Sequence, residues 1–115
     1  MAELTLDSRQ EGPVTLLYPR GHINAHTVQA FEGRLQQIID SGASHIVVSG
    51  QGLTYISSAG LGALMGVIED VRAKSGDIRL ADLNDSVYNV FDILGFTHLF
   101  QVFPSENEAI QSFAD

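Results

Sequence analysis

The stretch Leu53-Thr54-Tyr55-Ile56-Ser57-Ser58-Ala59-Gly60-Leu61-Gly62 joins two kinds of local pattern, and its reading decides the fold. Just before it, His45-Ile46-Val47-Val48-Ser49 is a β-branched run, short enough for a buried strand. Gly50 to Ser57 reads as a connection. Beyond it, Leu61, Leu64, Met65, Ile68 and Val71 recur at helical spacing. They predict a helix over 60–75, ended by Gly76. A buried strand, a short connection and an amphipathic helix make up half of a parallel strand–helix–strand unit, whose crossover is right-handed.

Toward the N-terminus, Val28, Phe31, Leu35, Ile38 and Ile39 share one helical face. Asn24 is the candidate N-cap and Gly42 the stop. Leu4 to Ser8 alternates and Val14-Thr15-Leu16-Leu17-Tyr18-Pro19 is rich in strand formers. With Glu11-Gly12-Pro13 between them, the two predict a hairpin whose loop exceeds two residues. Pro19 lacks an N–H and belongs at the strand end. Toward the C-terminus, Asp77 to Ala81 is a further strand. Asp85 or Ser86 caps a short helix carrying Val87, Val90, Phe91 and Leu94, stopped by Gly95. Leu99 to Phe103 is a short strand, and Ser105 with Glu108 is a capping box opening the last helix.

The expected order is β-β-α-β-α-β-α-β-α. It belongs to the α/β class: a mixed, mostly parallel sheet of four to five strands with about four helices. Segments 14–18, 44–49 and 77–81 are expected as sheet neighbours or near-neighbours. At 115 residues, with no repeat or linker, the chain reads as one domain over 1–115.

Composition narrows the function. The chain has no cysteine, which excludes disulfides, thiolate zinc sites and cysteine nucleophiles. Fourteen acids against six bases give a formal charge of −8, which argues against direct nucleic-acid binding. Such a charge serves solubility, or steers the protein onto a basic partner. The start, Met1-Ala2-Glu3-Leu4-Thr5, has no basic segment leading into an apolar run. No stretch approaches the ~18 apolar residues of a membrane span. A cytoplasmic location without membrane association is the expectation.

Ser58 carries the chemistry. At a loop-to-helix junction, a serine is placed as an N-cap near unpaired backbone N–H groups. A phosphate there meets the positive end of the helix dipole, worth about 0.3–1 kcal/mol when exposed. It adds roughly −1.5 to −2 charge units, which a docked partner would have to bury. Ala59, Gly60 and Gly62 leave the first turn bare, so another backbone can approach. Spacing alone leaves the ordinary alternative open: serines cap many helices, and small residues let helices pack on sheets.

The quoted residues, taken with others, resemble the STAS family, in particular its stand-alone anti-sigma factor antagonists. Gly21-His22-Ile23-Asn24 matches the family turn G-x-L/I-D, and His45-Ile46-Val47-Val48 its central strand. Leu53 to Gly62 matches L-x-x-I-D-S-S/T-G-L-G, and Asp92-Ile93-Leu94-Gly95-Phe96 resembles F-x-x-x-G-L/F. The resemblance covers nearly the whole chain. It implies the STAS fold, with Ser58 as phospho-acceptor and Asn24, Ser57, Ala59, Gly60 and Leu61 as the partner-binding surround. It implies a serine-kinase anti-sigma factor as partner, a PP2C-type phosphatase that reverses the modification, and control of sigma-factor-dependent transcription by a monomer that is not an enzyme. Asn24 and Ser57 stand where the family commonly has acids, and Ala59 replaces a second hydroxyl. Ser57 is the alternative acceptor. Other readings are an adaptor that is never phosphorylated, or a STAS module sensing a nucleotide or small anion at the helix N-terminus.

Other chemistry finds little support. Neither Ser57 nor Ser58 fits G-x-S-x-G, and His22, His26, His45 and His98 supply a base only by accident of folding. His22 and His26 are four apart, but the pair straddles the expected helix start, so no metal site is expected. Gly60-Leu61-Gly62 lacks the third glycine of a dinucleotide fingerprint, and no cofactor is expected. Phe96, Leu99, Phe100 and Phe103 form an aromatic cluster that suits core or sheet-edge packing, with partner contact by Phe96 as the alternative.

Overall fold

Alternation in the first twenty residues folds into an antiparallel pair, β1 (Leu4–Glu11) and β2 (Val14–Ile23). The computed structural model describes residues 3–114. Met1, Ala2 and Asp115 lie outside the described residues, and with them the first two residues of the 1–5 segment and the ends of the 1–115 span. Glu11 pairs directly with Val14, so the loop is Gly12–Pro13 alone, shorter than expected. Gly12 adopts φ 57°, and a tight hairpin turn favours glycine at that first central position.

Pro19 sits inside β2, not at its end. His22 donates to Glu3 and Gly21 to Gly52, so odd-numbered residues of β2 turn their nitrogen away from β1. On that side β3 (His45–Ser49) pairs with Val14–Leu17, and β4 (Leu53–Ile56) pairs with Gly21–Ile23. Pro19 falls in the interval between them, where no ladder bond is lost.

The remaining elements are α1 (Val28–Asp40), α2 (Ser58–Ala73), β5 (Asp77–Ala81), α3 (Asp85–Ile93), a 3₁₀ turn at Phe96–His98, β6 (Val102–Phe103) and α4 (Glu106–Gln111). The sheet has six strands in the order β1-β2-β3-β5-β6, with β4 added to β2. Every pairing except the opening hairpin is parallel. The expected count of four to five strands is corrected by Leu53–Ile56, which continues the sheet where a connection was expected. Its two inner residues are exposed and its two ends buried, a pattern without period two. The expected strand over 99–103 shrinks to two residues, because Leu99 caps the 3₁₀ turn.

Both faces of the sheet are covered, which explains the uninterrupted apolar run of β3. On one face Leu17, Ile46, Val48, Ile78 and Leu80 pack with Phe31 and Leu35 of α1, Leu61, Leu64 and Val71 of α2, and Phe91 of α3. On the other, Val14, Leu16, Val47 and Ala81 pack with Ala109 of α4 and Phe113. Phe100 is fully buried, and Phe96 lies between Phe91 and Phe100. The aromatic cluster is thus largely core, with Leu99 exposed.

Helix α1 buries its expected face. Helix α2 begins two residues earlier than expected. Met65 of its expected stripe is exposed, while Ala63 and Val67 are buried. The left-handed residue that ends α2 is Ser75, at φ 62°, not Gly76; a Cβ on Gly76 would run into the Ser44 carbonyl. Asn84, rather than Asp85 or Ser86, caps α3. Its Oδ1 accepts from Val87 N at 2.8 Å and its Nδ2 donates to Leu53 O at 3.0 Å, tying α3 to β4. Leu94 of the expected stripe is half exposed. The cap at Ser105 forms as expected, its Oγ accepting from Glu108 N at 3.2 Å.

Candidate functional site at the start of helix α2

Ile56 closes β4 beside Ile23, the last residue of β2, and both side chains enter the core. The Ser57 N–H then donates to the Ile23 carbonyl at 2.8 Å. That bond holds Ser57 in extended backbone, φ −93° and ψ 172°, and makes it the N-cap of α2. Its carbonyl accepts from Gly60 N at 3.0 Å and Leu61 N at 3.3 Å. The cap expected at Ser58 is therefore one residue earlier, and Ser58 is the first helical residue.

The shift separates the two serines chemically. Ser58 is exposed. The Ser57 hydroxyl makes no cap bond, and its oxygen is enclosed without a hydrogen-bond partner. Of the two candidate acceptors, Ser58 presents its side chain to solvent and Ser57 withdraws it.

Asn24 follows Ile23 as Ser57 follows Ile56, so the two lie at the ends of adjacent parallel strands, which are spaced about 4.8 Å apart. Asn24 Oδ1 accepts from His26 N at 2.9 Å and Thr27 N at 3.2 Å, and Thr27 Oγ1 accepts from Asn24 N at 2.9 Å. This reciprocal exchange resembles a capping box, but it closes the turn before α1. The N-cap of α1 is Thr27, which corrects the expectation for Asn24.

Of the small residues expected to face a partner, Ala59 is exposed. Gly60 and Leu61 are buried, and their assignment to a partner surface is corrected. A Cβ on Gly60 would lie 2.6 Å from Ile56 Cγ1 and 2.7 Å from Ile23 Cγ2, so this glycine lets α2 approach the sheet. A Cβ on Gly62 would meet nothing within 4 Å, and the outward small residues are Ala59 and Gly62. The sequence reading missed Tyr55, which is 49% exposed beside this junction, and the α3 face next to it. The signal available for α3 was Asn84, a cap residue one position earlier than those considered.

No histidine ring hydrogen-bonds to Ser57 or Ser58 among the described residues. His45 stacks on Phe113 with ring centroids 4.7 Å apart, and His22 meets the Tyr55 ring edge-on at 6.2 Å. Among the described residues, no three His, Asp or Glu side chains gather as a metal site.

The sequence model of the STAS domain matches residues 5–109. The chain belongs to the STAS domain family. BtrV of Bordetella bronchiseptica, a provisionally named anti-sigma factor antagonist, is 33% identical over 94 residues, covering 82% of this chain and 81% of that protein. An anti-sigma factor antagonist from Mycobacterium paratuberculosis superposes with a TM-score of 0.90 at 17% identity, covering 97% and 95% of the two chains. Bacillus SpoIIAA, an anti-sigma factor antagonist, superposes in its unphosphorylated form with a TM-score of 0.81 at 20% identity, covering 96% of each chain. It has also been solved in a phosphorylated form, with a TM-score of 0.69 at 21% identity, covering 96% and 98%. The six-stranded sheet with its four helices is thus the STAS fold.

In this STAS domain the first turn of α2 carries no acidic residue, so the positive end of the helix dipole is uncompensated. The segment from Leu35 to Val71 contains no lysine or arginine. An anion on Ser58 would be stabilised by the helix backbone and by no nearby cation of that segment.

Proposed function

We propose that this STAS domain is an anti-sigma factor antagonist that binds a serine-kinase anti-sigma factor and is switched off by phosphorylation of Ser58. The observation that carries the reading is the exposure of Ser58 at the first position of α2, next to a serine whose oxygen is enclosed. The names of BtrV and the mycobacterial protein support the antagonist role, and the two solved forms of SpoIIAA support a phosphorylation switch.

The mechanism follows from charge. Unmodified, Ser58, Ala59 and Gly62 offer a small, neutral surface that a partner backbone can approach. A phosphate at the helix N-terminus is compatible with the fold, stabilised by about 0.3–1 kcal/mol. A partner docked over it must desolvate a dianion that no cation of the segment pairs, and an uncompensated buried charge costs several kcal/mol. Since about 1.4 kcal/mol weakens binding tenfold, the unmodified protein binds and the phosphoprotein dissociates. The bound kinase would then be unavailable to its sigma factor, which is freed for transcription. A PP2C-type phosphatase resets the switch. In this reading the protein is a cytoplasmic monomer that acts by binding, not catalysis.

The test is the affinity of a purified serine-kinase anti-sigma factor from the same organism for two variants. Ser58→Asp should bind at least tenfold more weakly than the unaltered chain, and Ser58→Ala should bind as tightly. Equal affinities for the two variants would contradict control by charge.

A further inference from the structure

An open groove of about 590 Å³ lies between α1 and α2. Gln29, Glu32, Gly33 and Gln36 of α1 form one wall, and Gly62 and Gly66 of α2 stand on the other. Gly62 is one turn past Ser58, so the groove continues the neutral surface around that serine. Three of the wall residues are glycines inside helices. A Cβ on Gly33, Gly62 or Gly66 would meet nothing within 4 Å, and none of the three has positive φ. Alanine is the better helix residue at such positions, so the fold itself gives no reason for glycine at any of them. Gly62 and Gly66 are four apart, which removes a ridge from the outer face of α2. The ridge of another helix can enter where that one is missing.

The charge along the groove has one sign. Glu32 lines it. Asp40 follows Gln36 by one turn, and its Oδ1 accepts from Gln36 Nε2 at 2.9 Å. On the facing helix, Asp70 follows Gly66 by one turn, and Glu32, Asp40 and Asp70 are all exposed. Arg34 of α1 turns the other way, donating to the Leu6 carbonyl at 3.2 Å and to Ser8 Oγ at 2.7 Å on β1. Lys74, the one lysine of the chain, stands a further turn past Asp70, beyond the lining residues. A slot framed by three carboxylates favours a basic occupant. A second copy of this chain supplies none: α1 and α2 hold one arginine each, α3 and α4 hold no lysine or arginine, and Arg72 is paired with the Asp77 carboxylate.

We propose that the groove between α1 and α2 receives a helix of the anti-sigma factor whose lysine or arginine residues face Glu32, Asp40 and Asp70. This rests on the proposed antagonist function and names the face on which that partner lies. The missing side chains let the two backbones approach closely, and the carboxylates fix the orientation of the incoming helix and speed encounter. Ser58, one turn before Gly62, then carries its phosphate at the end of the docked helix.

Titration calorimetry of a purified serine-kinase anti-sigma factor from the same organism against full-length variants tests this, with urea unfolding of each variant. Gly33→Ala and Gly66→Ala should raise stability and yet weaken binding, a pair of opposite effects that a purely structural glycine does not give. Gly66→Leu, which fills the groove, should weaken binding tenfold or more. Glu32→Gln with Asp70→Asn should reduce the salt dependence of the association rate. A loss of stability in both alanine variants would give the glycines a structural reason and overturn the proposal. If Ser58→Asp weakens binding while Gly66→Leu binds like the unaltered chain, the groove proposal is overturned and the switch stands. If the unaltered chain fails to bind the kinase, the antagonist reading falls, and this proposal with it. A dimer of the chain that Gly66→Leu dissociates would assign the groove to a second copy and overturn the proposal.

Discussion

Gly60 and Gly62 stand two positions apart on α2 and face opposite environments. A methyl group on Gly60 would overlap Ile56 and Ile23, whereas one on Gly62 would meet open space. Overpacking a core typically costs about 1–3 kcal/mol, and replacing an exposed helical glycine by alanine gains about 0.8–1.0 kcal/mol. In urea unfolding, Gly60→Ala should therefore lower stability and Gly62→Ala raise it, by those amounts. Ser57→Ala supplies a further contrast. An N-cap serine usually contributes about 0.5–2 kcal/mol through its side-chain bond, but Ser57 makes none. Its oxygen is enclosed without a partner, and an unsatisfied buried hydroxyl costs about 1–3 kcal/mol, so its replacement should raise stability in the same measurement. The sequence alone presents the two serines as near equivalents, since both are small and polar ahead of an apolar stripe. What separates them is the bond from Ser57 N to Ile23 O, a contact across 34 positions of chain that no local pattern encodes.

At the scale of elements, α4 is fastened to the sheet through one carboxylate. Glu106 Oε1 accepts from Tyr18 at 2.9 Å and Oε2 accepts from Ser49 at 2.7 Å, while the Glu106 N–H donates to Asp82. Arg9 donates to the Tyr18 oxygen at 3.1 Å. Burial pushes the Tyr18 phenol above its ordinary value of 10.0, Arg9 opposes the rise and Glu106 adds to it. A group whose folded value is raised holds its stabilising contribution below the unfolded value and loses it as pH climbs above. The contribution of Tyr18 is thus complete at neutral pH and declines above about pH 10. Tyr18→Phe should lose roughly 1 kcal/mol at pH 7 and show a shallower fall in stability between about pH 9 and pH 11, read by denaturant titration at each pH. The capping box at Ser105 makes the start of α4 legible, because cap chemistry is local. Strand β4 is illegible for the opposite reason: its four residues gain their place from the free edge of β2 beyond β3, a vacancy visible only once the sheet exists.

At the scale of the whole molecule, the parallel centre of the sheet follows from sequence. Segments 14–18, 44–49 and 77–81 lie as the consecutive strands β2, β3 and β5, because short connections around helices of one hand leave few other arrangements. The site is legible to within one residue and misread in its orientation. Motif matching locates the junction, but which of Ala59, Gly60 and Leu61 faces outward depends on the helix phase, and that phase is set two residues earlier than the apolar stripe indicates. The molecule that results places a neutral, exposed hydroxyl on a surface whose formal charge is already −8, so one phosphate alters local charge where no neighbouring cation of the segment absorbs it.

Mass-spectrometric mapping of the phosphate after incubation with ATP and a serine-kinase anti-sigma factor from the same organism tests that claim most directly, using the unaltered chain, Ser57→Ala and Ser58→Ala. The account predicts one phosphate on Ser58 in the unaltered chain and in Ser57→Ala, and none in Ser58→Ala. Phosphate on Ser57, or on neither serine of the unaltered chain, would contradict it.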